Sequence, residues 1–411
     1  MTSFNDTAPE ATLVAIDVAK AKNDVVIERP GLATRLRLKV LNTSSEHQRL
    51  VQRLRDLGGP IQIGLEATGN YHRAIAWALL QAGFDVRLIS SVALARTREA
   101  LHNGWDKNDP KDAQVMLHML RIGATQRYYD PLVEGINDWQ ELSKTHETIS
   151  KAKTEALHRL QTHYLPLYFP EIDRFRHNSR SEWFFVFLDR FPVPSAIITH
   201  SRDEFVEEAW PMIGRKVAKA RILADIYETA RTSIGLPVAA DSAAVMMYRL
   251  VIALIRQLIQ QRDEIERRSH ELLADHRDYQ RLRQLPGVGP IIALTVLAEA
   301  GDLRRFRHHR QFLKFCGFDL AAHQSGQFRG QSKLSKRGNA RLRRAFWMAG
   351  QIAVRQRENN FRDKYERYIA RDRDNRDLKR KALTAVAAKM ARTAHAMIVS
   401  ETDYRPFHGV R

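Results

Sequence analysis

Apolar residues in the N-terminal part of the chain come in short runs separated by polar clusters, which is a strand pattern. Residues 12–17 (TLVAID) form one such run and end in a carboxylate. Residues 23–29 (NDVVIER) and 35–41 (RLRLKVL) follow as strands, the second alternating basic with apolar positions. Ser44 and Ser45 can cap a helix running to about Leu57, where Gly58-Gly59-Pro60 stops it. Residues 61–66 (IQIGLE) make another strand closed by a carboxylate, a helix fits 71–82, and 85–89 (DVRLI) is a further strand. Hairpin-like strands followed by strand–helix alternation predict an α/β domain over residues 1–130.

From about Asn137 the period becomes helical. Segments 137–164, 203–234 and 241–275 are expected helices, with Pro166, Pro170, Pro192 and Pro194 marking breaks between the first two. In 241–275, Met246, Leu250, Ile252, Leu254, Ile255, Leu258, Ile259 and Ile265 predict an amphipathic arm or coiled coil. Residues 131–275 are therefore read as a helical spacer or dimerisation region. A mainly α region, 276–411, opens with the turn 285–290 (LPGVGP) and the apolar helix 291–300, and ends in a helical tail through about Ser400. No apolar run approaches the roughly 20 residues of a bilayer span. The N-terminus, with Asn5, Asp6 and Glu10, lacks a basic-then-apolar leader. A cytoplasmic protein is expected.

Charge changes this picture. The 411 residues carry a formal net charge of +19, which points to a polyanionic partner, nucleic acid first. Solubility alone is the alternative, but the charge is clustered. Arg304, Arg305, Arg307, Arg310, Lys314, Arg329, Lys333, Lys336, Arg337, Arg341, Arg343 and Arg344 share a span whose only acid is Asp319. A solvated helix face mixes signs. This span is therefore expected to bind phosphates, with a steep salt dependence. A single cysteine, Cys316, leaves no disulfide or cysteine-based zinc site within the chain.

Four acids in the first region carry candidate chemistry. Asp17 and Glu66 each close a strand, and Asp109 and Asp112 lie in 107–113 (KNDPKDA) at an expected helix start. Metal ions acting on a nucleic-acid backbone need several hard oxygen ligands converging on one point. Carboxylates at the ends of paired strands converge, and an i, i+3 pair shares one helix face. This order of acids is what a ribonuclease-H-like nuclease core requires. The plainer account makes Asp109 an N-cap before Pro110 and Asp112 a favourable charge in the first turn. Clustered acids repel one another without metal, so removing Asp17 or Asp112 is expected to leave the fold intact or steadier.

In the third region, Gly287 and Gly289 of LPGVGP can let backbone N–H groups approach a phosphate; an ordinary helix-to-helix turn is the alternative. Ser325, beside Gly326 and near several cations, is a candidate nucleophile whose transition state those cations would stabilise. A serine in a polar turn is the alternative, and Ser332 and Ser335 are nearby.

Together these motifs resemble the DEDD transposases of the insertion-sequence one-ten family and the related Piv-type DNA invertases. The resemblance rests on Ala15-Ile16-Asp17-Val18-Ala19-Lys20, Leu65-Glu66-Ala67-Thr68-Gly69, the Asp109/Asp112 pair, Leu285-Pro286-Gly287-Val288-Gly289-Pro290, Ser325-Gly326 and Lys336-Arg337-Gly338-Asn339. It implies a RuvC-like first domain whose Asp17, Glu66, Asp109 and Asp112 hold Mg²⁺, and a C-terminal transposase domain with a helix-hairpin-helix element. It also implies that Ser325 forms a phosphoserine link to DNA, that a structured guide RNA pairs with donor and target DNA, and that subunits assemble as dimers or tetramers through a coiled-coil arm. The enzyme rival is a Holliday-junction resolvase or nuclease that uses water. The non-enzyme rival is a DNA-binding protein.

Overall fold

Strand β1 (Thr12–Asp17) is apolar through its middle because both of its faces are covered. It lies at the centre of a six-stranded mixed sheet with β2 (Lys22–Glu28), β3 (Leu36–Leu41), β4 (Ile61–Glu66), β5 (Asp85–Ile89) and β6 (Gln126–Arg127), in the order β3-β2-β1-β4-β5-β6. β1, β2 and β3 form an antiparallel meander, β4 and β5 run parallel to β1, and β6 returns antiparallel. Val14 and Ile16 face a core built with α1 (Ser44–Leu57) and α2 (His72–Gln81). Ala15 faces the other way, onto Ala113, Met116 and Met119 of α4 (Asp109–Arg121), which follows α3 (Ser91–His102). A side chain at Gly64 of β4 would collide with Ile89 and Leu120 at 2.9–3.0 Å, so the bare glycine lets α4 lie close to the sheet.

The described residues are 11–67, 69–102, 109–176, 182–213, 218–321, 324–325, 328–329 and 333–406. The chain divides into two units, Met1–Gly135 and Ile136–Arg411. In the second, α5 (Asn137–Arg159) continues through a wide π turn (Leu160–Tyr164) into α6 (Leu165–Tyr168). The wide turn relieves the clash that Pro166 would make with the preceding turn, so no break occurs at the expected proline. Short helices α7 (Glu182–Arg190), α8 (Pro194–Ile198), α9 (Arg202–Ala209) and α10 (Lys219–Arg231) follow. The single helix expected over 203–234 is thus two, α9 stopping by Trp210.

Helix α11 (Ala243–Leu273) buries Val245, Tyr248, Ile252, Ile255, Leu258, Arg262, Ile265, Ser269 and Leu273, a three- and four-residue spacing turned toward its own chain. It packs on α5 and α7. Over an 18-residue window α11 is long and apolar enough to cross a membrane, which corrects the expectation that no segment comes close. Tyr248, Ile252, Ile255 and Leu258 belong to a buried core, and 33% of that window is buried.

The last region contains α12 (Arg277–Arg283), α13 (Pro290–Ala300), α14 (His309–Phe315), α15 (Ala340–Ala353), α16 (Asn360–Ile369) and α17 (Arg376–Val399) around one core. Between α14 and α15 the chain makes short ladders: β7 (Leu320–Ala321) with β10 (Lys333–Leu334), and β8 (Gln324–Ser325) with β9 (Phe328–Arg329).

Gly287, in the turn between α12 and α13, has φ +82, and a Cβ there would lie 2.2 Å from the Ala349 carbonyl oxygen of α15. Its bareness serves helix packing, whereas Gly289 faces open space. Gly287→Ala is expected to lower stability by about 2–3 kcal/mol, read as a drop in the urea midpoint. An unchanged midpoint would mean that the turn is not seated on α15.

Candidate active site and nucleic-acid interface

Strand pairing decides where the acids of the first unit go. On parallel β1 and β4, Ile16 is registered with Leu65, so the next residues, Asp17 and Glu66, are neighbours at the same strand ends. On antiparallel β1 and β2, Asp17 stands opposite Asp24, which in turn stands opposite Lys39 of β3. Residues two apart share a face. Ala15 and Val26 belong to the core beneath α4, and Gly64 leaves its space to Leu120 of α4, so Asp17, Asp24 and Glu66 share the α4 face. Lys39, Asp24, Asp17 and Glu66 therefore occupy four adjacent strands, spaced about 4.8 Å apart.

Helix α4 brings Asp112 to the same side. Asp112 is 3% exposed, and the Arg98 Nε on α3 donates a hydrogen bond to it. The paired side chains are 13% and 4% exposed. Asp109 opens α4, but its side chain lies outside the described residues. Among the described residues, no three acids, histidines or cysteines are gathered closely enough to hold a metal ion. The donor chemistry nonetheless suits a hard divalent cation: oxygen ligands alone, on one face of one sheet. Beside them, Lys22, Asp24, Val26, Arg37, Lys39 and Ala113 line an open groove of about 530 Å³.

Sequence reasoning missed Asp24, Lys39 and Arg98. The short link of residues 18–21 sets the register of β1 and β2, so counting back from that turn places Asp24 opposite Asp17. Nothing in the sequence marks Arg98. Its pairing reverses the stability expectation for Asp112, because removing the acid strands a nearly buried guanidinium.

In the second unit, the backbone of Ser325 is paired with Phe328, the last rung before residues 326–327; its side chain is outside the described residues. The motif Lys336-Arg337-Gly338-Asn339 has a structural explanation. A Cβ at Gly338 would lie 2.6–2.7 Å from the backbone of Phe315, Gly317 and Lys314. The Asn339 side chain caps α15, accepting from the N–H groups of Arg341 and Leu342 at 3.0 Å, and donates to Glu299 at 2.6 Å. Lys336 takes a left-handed backbone, φ 54, and its carbonyl accepts from Arg343 at 3.2 Å.

The basic span is not one uniform surface. Arg304 is ion-paired with Asp278, Asp302 and Glu401, and Arg305 donates to the Ala300 carbonyl while lying over the Phe306 and Phe315 rings. Burial pushes the Asp278 carboxyl up, but Arg304 and Arg281 outweigh it and hold the group below its usual range. Arg341 pairs with Glu147 and Glu299, and Arg344 reaches Glu147 at 3.5 Å. Lys151, Arg341 and Arg344 hold the Glu147 carboxyl low against its partial burial. Arg307, Arg310, Lys336 and Arg337 are exposed, with no carboxylate partner among the described residues. The side chains of Arg329 and Lys333 lie outside the described residues.

Asp112→Asn is expected to lower stability by about 3 kcal/mol. In Arg98→Met/Asp112→Leu the loss should be smaller than the sum of the single changes, measured by a double-mutant cycle in urea; additive losses would show the pair to be inert. Lys336→Gln/Arg337→Gln should reduce the slope of log affinity for a DNA duplex against log salt by about 2. Its melting temperature should not change, whereas Arg341→Gln should lower melting. An unchanged slope in the double variant would remove those two cations from the interface.

A model described as "Transposase IS116/IS110/IS902 family" matches residues 279–366, and a DEDD transposase model of the IS110 group matches residues 14–170. The transposase for insertion sequence element IS1111A of Coxiella burnetii is 32% identical over 162 residues, 39% of this chain and 44% of that protein. The insertion element IS116 44.8 kDa protein of Streptomyces clavuligerus is 23% identical over 96% of both chains. The transposase for insertion sequence element IS1328 of Yersinia enterocolitica is 31% identical over 25% of this chain and 30% of that protein. The chain thus spans less than half of two of these relatives and nearly all of the third. Among solved structures, T. thermophilus RuvC in complex with Holliday junction substrate aligns with a TM-score of 0.22 at 12% identity, over 29% of this chain and 100% of that one, a score at which the likeness carries no weight. The two family models together match more than half of the sequence, one on the acids and the other on the glycine turn and the Ser325 segment, and the chain belongs to the IS116/IS110/IS902 family of insertion-sequence transposases.

Proposed function

We propose that this protein cuts and rejoins DNA strands at the ends of an insertion sequence, in the cytoplasm. The observation that carries this reading is the alignment of Asp17 and Glu66 on neighbouring strand ends, on the face covered by α4 with Asp112. The strand order, an antiparallel meander leading into parallel strands, supports a ribonuclease-H-like or RuvC-like core. Asp17, Glu66, Asp109 and Asp112 are the residues assigned to hold Mg²⁺. When bound, the ion would neutralise charge that builds on the reacting phosphate. Lys39, opposite Asp24, offsets part of the negative charge at this sheet end.

Ser325 is assigned as the nucleophile. Its hydroxyl oxygen bonds to the scissile phosphorus and displaces a sugar oxygen, which leaves as a hydroxyl, so the DNA phosphate becomes a serine ester. Attack by a sugar hydroxyl of the joining strand then breaks that ester and returns the proton to serine. Lys336 and Arg337, in the same segment, supply cations for the crowded phosphate. The exposed cations hold nucleic-acid backbones, and a structured guide RNA is assigned as a partner beside donor and target DNA. Met246, Met247, Leu250 and Leu254 leave an apolar stripe exposed on α11, which supports assembly of several copies.

A DNA duplex nicked beside the cleavage point traps the ester. Wild-type protein with Mg²⁺ should give a protein–DNA adduct that survives SDS, and Ser325→Ala should give none. An adduct lost in Ser332→Ala or Ser335→Ala instead would move the nucleophile. Cleavage without any adduct would favour water, as in a resolvase.

A further inference from the structure

A second concentration of cations lies outside the span that the sequence singles out. Lys364 and Arg367 sit three residues apart on α16, and Lys389 and Arg392 three apart on α17, against which α16 packs. α14 also packs on α17 and brings His309 and Arg310 to the Arg392 side. None of Lys364, Arg367, Lys389, Arg392 or Arg310 has a carboxylate ion-pair partner among the described residues. Lys389 Nζ donates to the Asn360 carbonyl at 2.9 Å and lies 5.4 Å from the Phe361 ring centroid. Its amine is thus anchored between the two helices and not waving in solvent.

These cations act on one another. Burial lowers the pKa of Lys364, and Arg392 and Arg367 lower it further. Burial likewise lowers Lys389, with Lys364 and Arg367 adding to the effect and the nearby Asp363 opposing it. Slight burial, His308, Arg392 and Arg310 lower His309. Half-buried like charges destabilise a fold, and a surface chosen for solubility would intersperse acids among them. Such an arrangement gains its compensation from an anion brought from outside.

We propose that Lys364, Arg367, Lys389 and Arg392 form a second nucleic-acid interface, gripping consecutive phosphates of a DNA or RNA strand. It goes beyond the activity proposed above and asks nothing of the acids or of Ser325. A strand running across α16 and α17 meets four cations carried on two packed helices. The same grip would serve DNA or the guide RNA, since both present the same phosphates.

The test is equilibrium binding of the full-length protein to a 30-bp DNA duplex and, separately, to an RNA hairpin, across about 50–200 mM salt. The triple change Lys364→Gln/Lys389→Gln/Arg392→Gln should reduce the slope of log affinity against log salt by about 2–3 on at least one of the two probes. Loss on the duplex alone would assign the face to DNA, and loss on the hairpin alone to RNA. Because Lys389 also joins the two helices, melting is compared in Lys364→Gln/Arg392→Gln, where removing mutually repelling charges should leave it unchanged or higher at low salt. Should the triple variant be poorly folded, Arg392→Gln alone, at an exposed position, should still reduce the slope by about 1. Unchanged slopes on both probes, with the protein folded, overturn the proposal. The serine–DNA adduct assay is a separate readout, so either reading can fail while the other stands.

Discussion

The first unit depends on covering both faces of β1. Val14 and Ile16 are sealed by α1 and α2, and Ala15 by α4. A strand has a period of two, so a one-residue slip would exchange the faces of every side chain. Asp17 would then point into the core beneath α1 and α2, where nothing apolar could accept it. Burial of three apolar residues thus holds a carboxylate on the α4 face. Gly64 has a matching role on β4, because α4 could not lie close to the sheet if that position carried a side chain. The Arg98–Asp112 pair completes the arrangement by making a buried carboxylate tolerable.

The strands were legible because their signal is local. Residues 12–17, 61–66 and 85–89 match the observed strands, and the helix over Ser44–Leu57 stops at the expected glycine, although its cap is Thr43 and not Ser44 or Ser45, which lie in its first turn. The family's paired motifs around Asp17 and Glu66 were also visible, since each closes its strand. Asp24 and Lys39 were not, because their neighbourhood is made by register between strands and not by sequence spacing. Arg98 lay beyond reach for a similar reason: its partner comes from a different helix. The break expected at Pro166, after a helix over 137–164, is absent because a π turn absorbs that proline, an accommodation with no sequence mark of its own.

Charge was the least transferable signal. A run of arginines reads as a surface, yet Arg304, Arg305, Arg341 and Arg343 are engaged by carboxylates, carbonyls and rings within the protein. Their acid partners Asp278, Glu147 and Glu299 lie far away in sequence, so a local count of charges cannot see them. The reverse holds for α16 and α17. There the cations are interspersed with Asp363, Glu366 and Asp377 and look ordinary, until folding sorts Lys364, Arg367, Lys389 and Arg392 together. Glycines carried a comparable ambiguity. Gly287 reads as an opening for a phosphate, yet like Gly338 it is a place where two backbones meet.

The junction between α14 and α15 has a consequence for what the segment it encloses can tolerate. The Asn339 N–H donates to the Phe315 carbonyl at 2.7 Å, and Gly338 lies against the backbone of Lys314, Phe315 and Gly317. The chain therefore leaves the helical core and returns to it at nearly one point, and Phe318 and Leu334, on either side of Ser325, pack on that core. Because the helices enforce closure, lengthening that segment costs little more than the logarithm of its length. A change in that segment's length would therefore leave the clasp and the packing of the helices beneath in place.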